Sequence, residues 1–455
     1  MIDIRSKAPK PNKEIVFKLP EIYKFELPNG IKIHFSEKKS LPIIQLNFII
    51  NGGSKYDRPG KEGESNLTLA LIDEGAGEFD ALQLNEEIEY LGSSLGLFCD
   101  QDYFYVSMLT LKKNLDRSLY LVSKIFMQPR LEEKDFLREK KKTLNRILQT
   151  KSDPGFIASA ILDKLLYKDF RPYSFQSTGY EATVENINVE DVRSFYSKYI
   201  TPKNVDVAVV GNIELDELKD KLNEYLGDWE SSPPAEFSFT GTKNSPTAIY
   251  ICNKENSVQS EVRVGQTTTG RNDSDFYARQ LWNSILGGQF TSRINLNLRE
   301  SKGYTYGAHS SFNYYKHNGY FFVSTAVKSL NTGDSIADIL KELNGIRENI
   351  SPAELEFAKS SVINKFPSQF ETYGQIARNI SNLIAYDLHE NYFNDYLDMI
   401  RRTTLEDTIM AARATLDLQK LIILIVGDKN IVKEQLKDMK DIPIYETDTE
   451  GNLIG

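Results

Sequence analysis

Histidine and cysteine are scarce in this sequence: four histidines (His34, His309, His317, His389) and two cysteines (Cys99, Cys252) in 455 residues. No two histidines stand four apart, so no helix offers a pair of imidazoles on one face to a metal. The cysteines are too few and too distant for a disulfide scaffold or a ligand pair, and are expected as buried free thiols of a reducing compartment. Long apolar runs are absent. The longest, "LIILIV" at Leu421–Val426, has the length of a buried strand and falls far short of the roughly 20 residues of a membrane span. An excess of positive charge is also lacking: the net charge of −9 excludes a generic nucleic-acid binder, which must displace counterions with clustered Lys and Arg. The first twenty residues contain no continuous apolar segment of the secretory type. The expected location is cytoplasmic, or periplasmic or exported if a signal once preceded this start. No G-x-S-x-G elbow, P-loop or dinucleotide fingerprint occurs; "GNIELDEL" and "GGQFTSR" are glycine turns.

What is present suits packed cores: 40% apolar residues with 11% aromatic. The chain also repeats itself. Glu190-Asp191 and Gly211 recur as Glu406-Asp407 and Gly427, both at a spacing of 216 (190 to 406, 211 to 427), and "YFYVS" at 103–107 recurs as "YFFVS" at 320–324. Each repeat ends in helix, buried strand, glycine turn, helix. Between the copies, "ESSPPAEFSFTGTKNSP" has the composition of an exposed interdomain connection. The expected organisation is an N-terminal domain over 1–229, a linker over 230–246 and a C-terminal domain over 247–455. Alternating segments such as "IKIHFSE" and "LFCDQDYFYVSML" predict half-solvated strands. Residues 132–151 predict an amphipathic helix through Phe136, Leu137, Leu144, Ile147 and Leu148. Strands and helices mix without strict βαβ alternation, so the class is α+β: two tandem homologous domains, each with helices on a mostly antiparallel sheet.

Two stretches carry chemistry. The first is "KFELPNGIKIHFSEKKSLPIIQLNFIINGGSKYDRPGKEG", a strand, hairpin, strand and glycine-rich lead into the helix "ESNLTLAL". With the tandem halves, this order resembles the pitrilysin/insulinase (inverzincin) family of zinc peptidases over roughly Tyr23 to Met439. Active members of that family place H-x-x-E-H on this helix, two metal ligands flanking a general base. Here the corresponding residues are Asn66, Leu69 and Ala70. The family's third ligand, a downstream Glu, falls near Asn145 and Arg146. The resemblance therefore implies a degenerate site without metal: Leu69 moves no proton, Ala70 holds no metal and Arg146 repels one. Nearby Asp73, Glu74, Glu78 and Asp80 lack the spacing of a calcium loop and predict a solvated helix end at Gly75.

The second stretch is "GGQFTSRINLNLRESKGYTYGAHSSFNYY". Gly287-Gly288 ends a helix, Lys302-Gly303 predicts a helix C-terminus with a left-handed cap, and "YTYGAHSSF" predicts a strand with Tyr304 and Tyr306 on one face. Read alone, this is a helix-to-strand corner. The resemblance implies more, because members whose second half completes a peptidase site carry Arg-x6-Tyr here, the spacing of Arg299 and Tyr306. An Arg fork suits a peptide carbonyl, and a Tyr hydroxyl can meet a developing oxyanion. "GSSLGLFCDQDYFYV" matches the family's substrate-pairing edge, but Gly96 and Leu97 depart from it and predict a plain structural edge. The implied function is a non-catalytic subunit of a heterodimeric zinc metallopeptidase. It carries no cofactor and no catalytic residue of its own, and lends Arg299 and Tyr306 to a peptide held by an H-x-x-E-H partner that brings the zinc. The rivals are a silent structural subunit of a larger assembly and a homodimeric peptide-binding protein.

Overall fold

The computed structural model describes residues 20–454 apart from 169, 235, 240, 242–244 and 440. The segment read above for a secretory signal lies outside these except for Pro20, as do five positions of the connecting segment.

The first half contributes strands β1 (Tyr23–Glu26), β2 (Lys32–Glu37), β3 (Ile43–Ile50), β4 (Gly75–Ala76), β5 (Phe79–Asp80), β6 (Ser94–Cys99), β7 (Phe104–Leu111) and β8 (Val205–Gly211). The second contributes β9 (Ala248–Asn253), β10 (Gln259–Thr269), β11 (Thr305–Tyr314), β12 (Asn318–Lys328), β13 (Ile422–Gly427), β14 (Ile444–Thr447) and β15 (Leu453–Ile454). β4 and β5 form a small separate hairpin. The main sheets run β6-β7-β3-β8-β2-β1 and β11-β12-β10-β13-β9-β14-β15. Five strands share one order, β6-β7-β3-β8-β2 and β11-β12-β10-β13-β9; beyond them the first sheet adds β1, antiparallel to β2, and the second adds β14, parallel to β9, and then β15. Among the described residues, the only parallel pairing within these five strands is β8 with β2, or β13 with β9.

The sequence repeats map onto equal places. Glu190-Asp191 and Glu406-Asp407 open helices Val189–Tyr199 and Leu405–Thr415, each closed by a capping box from Asn188 or Thr404. Gly211 and Gly427 end β8 and β13 where the neighbouring strand approaches closely. A Cβ at Gly211 would meet Ile44 at 2.8 Å and one at Gly427 would meet the Ser260 hydroxyl at 2.6 Å. The run at Leu421–Val426 is fully buried apart from a trace of Ile422, which is why it tolerates no polar alternation. Both cysteines are buried free thiols. "LFCDQDYFYVSML" folds as the β6–β7 hairpin. Asp100 turns it by accepting from the Asp102 and Tyr103 amides at 2.7 Å each.

Two expectations need correction. Helix Glu133–Thr150 buries Phe136 and Ile147, but Leu137 and Leu148 point to solvent, because the packed face is narrower than the apolar pattern. The connection between the halves is also less detached than its composition predicts. Phe237 and Phe239 pack against Phe170 and His317, and Phe237 stands over the Lys55 ammonium.

The halves interlock. Helix Pro154–Leu166, from the first half, packs on β10 and β13 of the second sheet; helix Tyr373–Ala385, from the second, packs on β3 and β8 of the first. Each sheet's face is thus completed by the other half. At the crossing point Asp102 is buried and accepts from Lys55 Nζ (3.4 Å), the Tyr173 hydroxyl (2.9 Å) and the Lys316 amide (2.8 Å). Tyr103 reaches across to the Ala385 carbonyl at 3.1 Å. Burial lowers the Lys55 pKa, and the Asp102 carboxylate opposes that drop. Removing the carboxylate leaves a buried ammonium without its partner. Asp102→Ala is therefore expected to cost about 3–5 kcal/mol in chemical denaturation. Lys55→Met is expected to cost less, since Asp102 keeps two other donors.

Candidate functional site

In the first half, helix Glu64–Leu71 is held rigidly at its start. Asp57 accepts from the Gly63 and Ser65 amides at 2.7 and 2.8 Å, and its burial pushes its pKa up to about 8. Arg58 grips Glu64 with two hydrogen bonds of 3.0 and 2.6 Å. On this helix Leu69 is buried in the core of the first sheet, while Asn66 and Ala70 are half-buried. Arg146, on helix Glu133–Thr150, donates from Nη2 to Asn66 Oδ1 at 3.1 Å. The fold thus brings together the residues aligned above to the metal positions, and closes them with a hydrogen bond. The set does not fit zinc: one amide oxygen is already engaged, one position is a packed leucine, one is alanine and the fourth is a cation. Among the described residues no group of three or more His, Cys, Asp or Glu side chains is placed to hold a metal. The four acids after the helix are dispersed: Asp80 caps helix Ala81–Tyr90, Glu78 accepts from Tyr120, Glu74 pairs with Arg138, and Asp73 is half-buried. The expectation of a uniformly solvated helix end fails for Asp73, whose pKa burial and Glu74 raise to about 7.

In the second half the corner is built differently from a plain helix-to-strand turn. Helix Phe276–Leu286 ends at Gly287, where a Cβ would lie 2.5 Å from the Ser310 amide. That close approach lets the Gly287 carbonyl accept from Ser310 at 3.1 Å. Leu296–Ser301 then form a π-helical turn, a widened geometry that occurs at functional sites more than elsewhere. Gly303 (φ +64°) closes it, and the Tyr304 amide reaches back to Leu298 at 2.9 Å. The left-handed cap is as expected from Lys302-Gly303.

The expected sharing of one face by Tyr304 and Tyr306 is overturned by a β-bulge. Thr305 pairs with Val327 and Ala308 with Thr325, so β11 carries one residue more than β12 between these points. Thr325 Oγ1 ties the bulge, donating to the Gly307 carbonyl (3.0 Å) and lying 3.1 Å from Thr305 Oγ1. Tyr304 packs inward against the core with its hydroxyl 3.4 Å from Asp334, while Tyr306 is thrown outward, 92% exposed.

Arg299, on the π-turn, lies over the Phe290 ring at 4.5 Å and has Glu300 Oε1 at 3.5 Å from Nε. Arg299 and Tyr306 line one shallow pocket of about 370 Å³ with Phe290, Asn295, Gly307 and His309. Two residues that position this corner were not singled out by sequence. Asn295 donates to the Phe290 carbonyl (2.7 Å) and accepts from the Ala308 amide (3.1 Å), joining loop, turn and strand. Arg293 clamps Glu354 through two bonds of 2.7 and 2.9 Å. The sequence signal for this clamp was the box "SPAE", in which Ser351 caps helix Pro352–Lys365 and fixes Glu354. The strand β6 lies at the outer edge of the first sheet beside helix Glu64–Leu71, and β11 holds the equal place in the second.

Two outcomes are expected. After dialysis the isolated chain should hold no stoichiometric zinc by metal analysis, since a catalytic site needs three protein ligands. The Arg293 clamp holds the Glu354 pKa near 2, below its ordinary 4.5. A carboxylate depressed in this way stabilises the fold above pH ~4.5 and loses that contribution as pH falls toward ~2. Acid titration of stability should therefore be shallower over this window in Glu354→Gln than in the parent.

Comparison with known proteins gives the family. The family profile described as "Insulinase (Peptidase family M16)" matches residues 34–180, and that described as "Peptidase M16 inactive domain" matches residues 186–362. An uncharacterized zinc protease YmxG of Bacillus subtilis is 22% identical over 81% of this chain and 90% of its own length. A non-peptidase homolog YmxG of Helicobacter pylori is 21% identical over 88% of this chain and 92% of its own. The crystal structure of a peptidase M16 inactive domain from Pseudomonas fluorescens superposes with a TM-score of 0.85 at 23% identity, covering 90% of this chain and 98% of that one. Matched by that family's profiles across both halves, the chain belongs to the insulinase family, peptidase family M16.

Proposed function

We propose that this chain is the non-catalytic subunit of a two-chain zinc peptidase and presents Arg299 and Tyr306 to a peptide bound by an H-x-x-E-H partner. One observation carries the reading: the two corners are treated oppositely. At the first, Leu69 is packed away and Arg146 is bonded to Asn66. At the second, a π-turn and a bulge hold an arginine and a tyrosine out at one open pocket. A bulge interrupts strand pairing, and a scaffold role gives no reason to keep a tyrosine projecting from it. In the proposed complex the Arg299 fork donates to a peptide carbonyl, and the Tyr306 hydroxyl donates to the oxygen on which charge develops during hydrolysis. The metal and the base belong to the partner. Short or unfolded peptides are the expected substrates, because four such halves would enclose a chamber.

The test is reconstitution. The chain alone should cleave nothing, and activity should appear on mixing with an H-x-x-E-H partner found by untagged co-purification. In that mixture Tyr306→Phe should lower kcat by about 10²–10³, the range for losing one oxyanion donor. Arg299→Ala should change both KM and kcat, because a carbonyl clamp acts in the ground state as well as in the transition state. Asn66→Ala should leave both unchanged. Equal cleavage after removal of both Arg299 and Tyr306 would replace this reading with the silent structural subunit, and a homodimer that binds peptide without cleaving it would support the third.

A further inference from the structure

The second half buries a group of polar side chains that neither the peptide reading nor the apolar core uses. Arg279 lies on the inner face of helix Phe276–Leu286, with its side chain 5% exposed. Its Nη2 is 3.3 Å from Asp273 Oδ1, while Nε and Nη1 are buried without a hydrogen-bond partner among the described residues. Arg271, half-buried in the turn before that helix, sits over the rings of Tyr386 (5.0 Å), Phe276 (5.4 Å) and Tyr392 (5.7 Å). Its Nε also lacks a partner among the described residues, and the buried hydroxyls of Tyr314 and Tyr392 have the Arg279 and Arg271 guanidinium groups beside them. The Phe276 ring joins the group, its centroid 5.8 Å from that of Tyr314 and 6.0 Å from that of Tyr392. Burial raises the Tyr314 pKa, and Arg279 and Arg271 both pull it back, so both cations act on that hydroxyl.

Hydrogen-bond accounting decides what belongs here. Guanidinium N–H groups donate and never accept; a phenol oxygen accepts, but brings a proton that must itself be placed. Donors therefore outnumber acceptors in the group. A water molecule brings as many protons as lone pairs and leaves the imbalance as it was. An acceptor-only ion removes it. The charge count runs the same way: two guanidinium groups share the cluster, and the Asp273 carboxylate pairs with one of them. The half-buried Arg271 is the one left without a carboxylate in this pair, and a partly desolvated guanidinium gains from an anion beside it. The geometry points to a small-anion site formed by Arg271, Arg279, Tyr314 and Tyr392, with a halide such as chloride as its ligand. The aromatic walls suit a single atom better than a phosphate or a peptide carboxylate. Such an ion would tie the turn before helix Phe276–Leu286 to the start of helix Tyr392–Arg402 and, through Tyr386, to the end of the exchanged helix Tyr373–Ala385.

Bromide is the probe. Crystals of the full chain grown in sodium bromide should show an anomalous peak within hydrogen-bonding distance of Arg279 Nε. In solution, the melting midpoint should be a few degrees higher in sodium chloride or bromide than in sodium gluconate at equal ionic strength, since a ligand of the native state stabilises it by mass action. Tyr314→Phe, which keeps the ring and so the packing, should shrink that difference, and Arg279→Leu should abolish it. No anomalous peak in the parent, equal midpoints in halide and gluconate, or a halide effect that survives both substitutions would each overturn the site.

Discussion

Everything in this chain rests on an exchange: each sheet is completed by a helix from the other half. Helix Pro154–Leu166 lies on β10 and β13, and helix Tyr373–Ala385 lies on β3 and β8. One face of the first sheet is buried by its own half, while the other is covered by the exchanged helix, so the halves share their apolar stabilisation. Asp102 sits where they cross and accepts from groups of both halves. Buried polar groups of this kind hold one arrangement against others, because any shift between the halves strands a donor or a charge.

That rigid frame gives the two corners their meaning. They descend from one repeated plan, as the shared strand order shows, yet local chemistry has separated them. In the first, Asp57 and Arg58 keep the helix in place while its outward residues carry no metal-binding chemistry. In the second, Asn295 and the Arg293–Glu354 clamp hold an irregular backbone that would otherwise relax into a regular helix end and an unbroken strand. Irregular backbone persists only when its surroundings over-determine it.

Much of the fold was legible because it depends on local rules. The helix end at Gly287, the cap at Gly303 and the apolar run of β13 are written in a few adjacent residues. The repeat was legible because Gly211 and Gly427 answer the same steric demand from a neighbouring strand. Leu137 and Leu148 were misread because periodicity reports an apolar stripe and not which part of it finds a partner. The inward turn of Tyr304 was hidden for a similar reason. Alternation assumes one residue per partner, and the extra residue of the bulge is visible only in the pairing of β11 with β12.

The sequence by itself determined the class of fold and the tandem plan, and at Asn66, Leu69 and Ala70 it offers neither imidazole nor carboxylate. It also placed Arg299 and Tyr306 at one corner. Only the tertiary structure decided that Arg146 closes on Asn66, that the halves trade helices, that Phe237 and Phe239 join the core, and that Tyr306 projects while Tyr304 packs inward. These are contacts between residues tens to hundreds of positions apart, or consequences of strand register. No local propensity encodes either. They arise when the apolar faces of both halves are satisfied together.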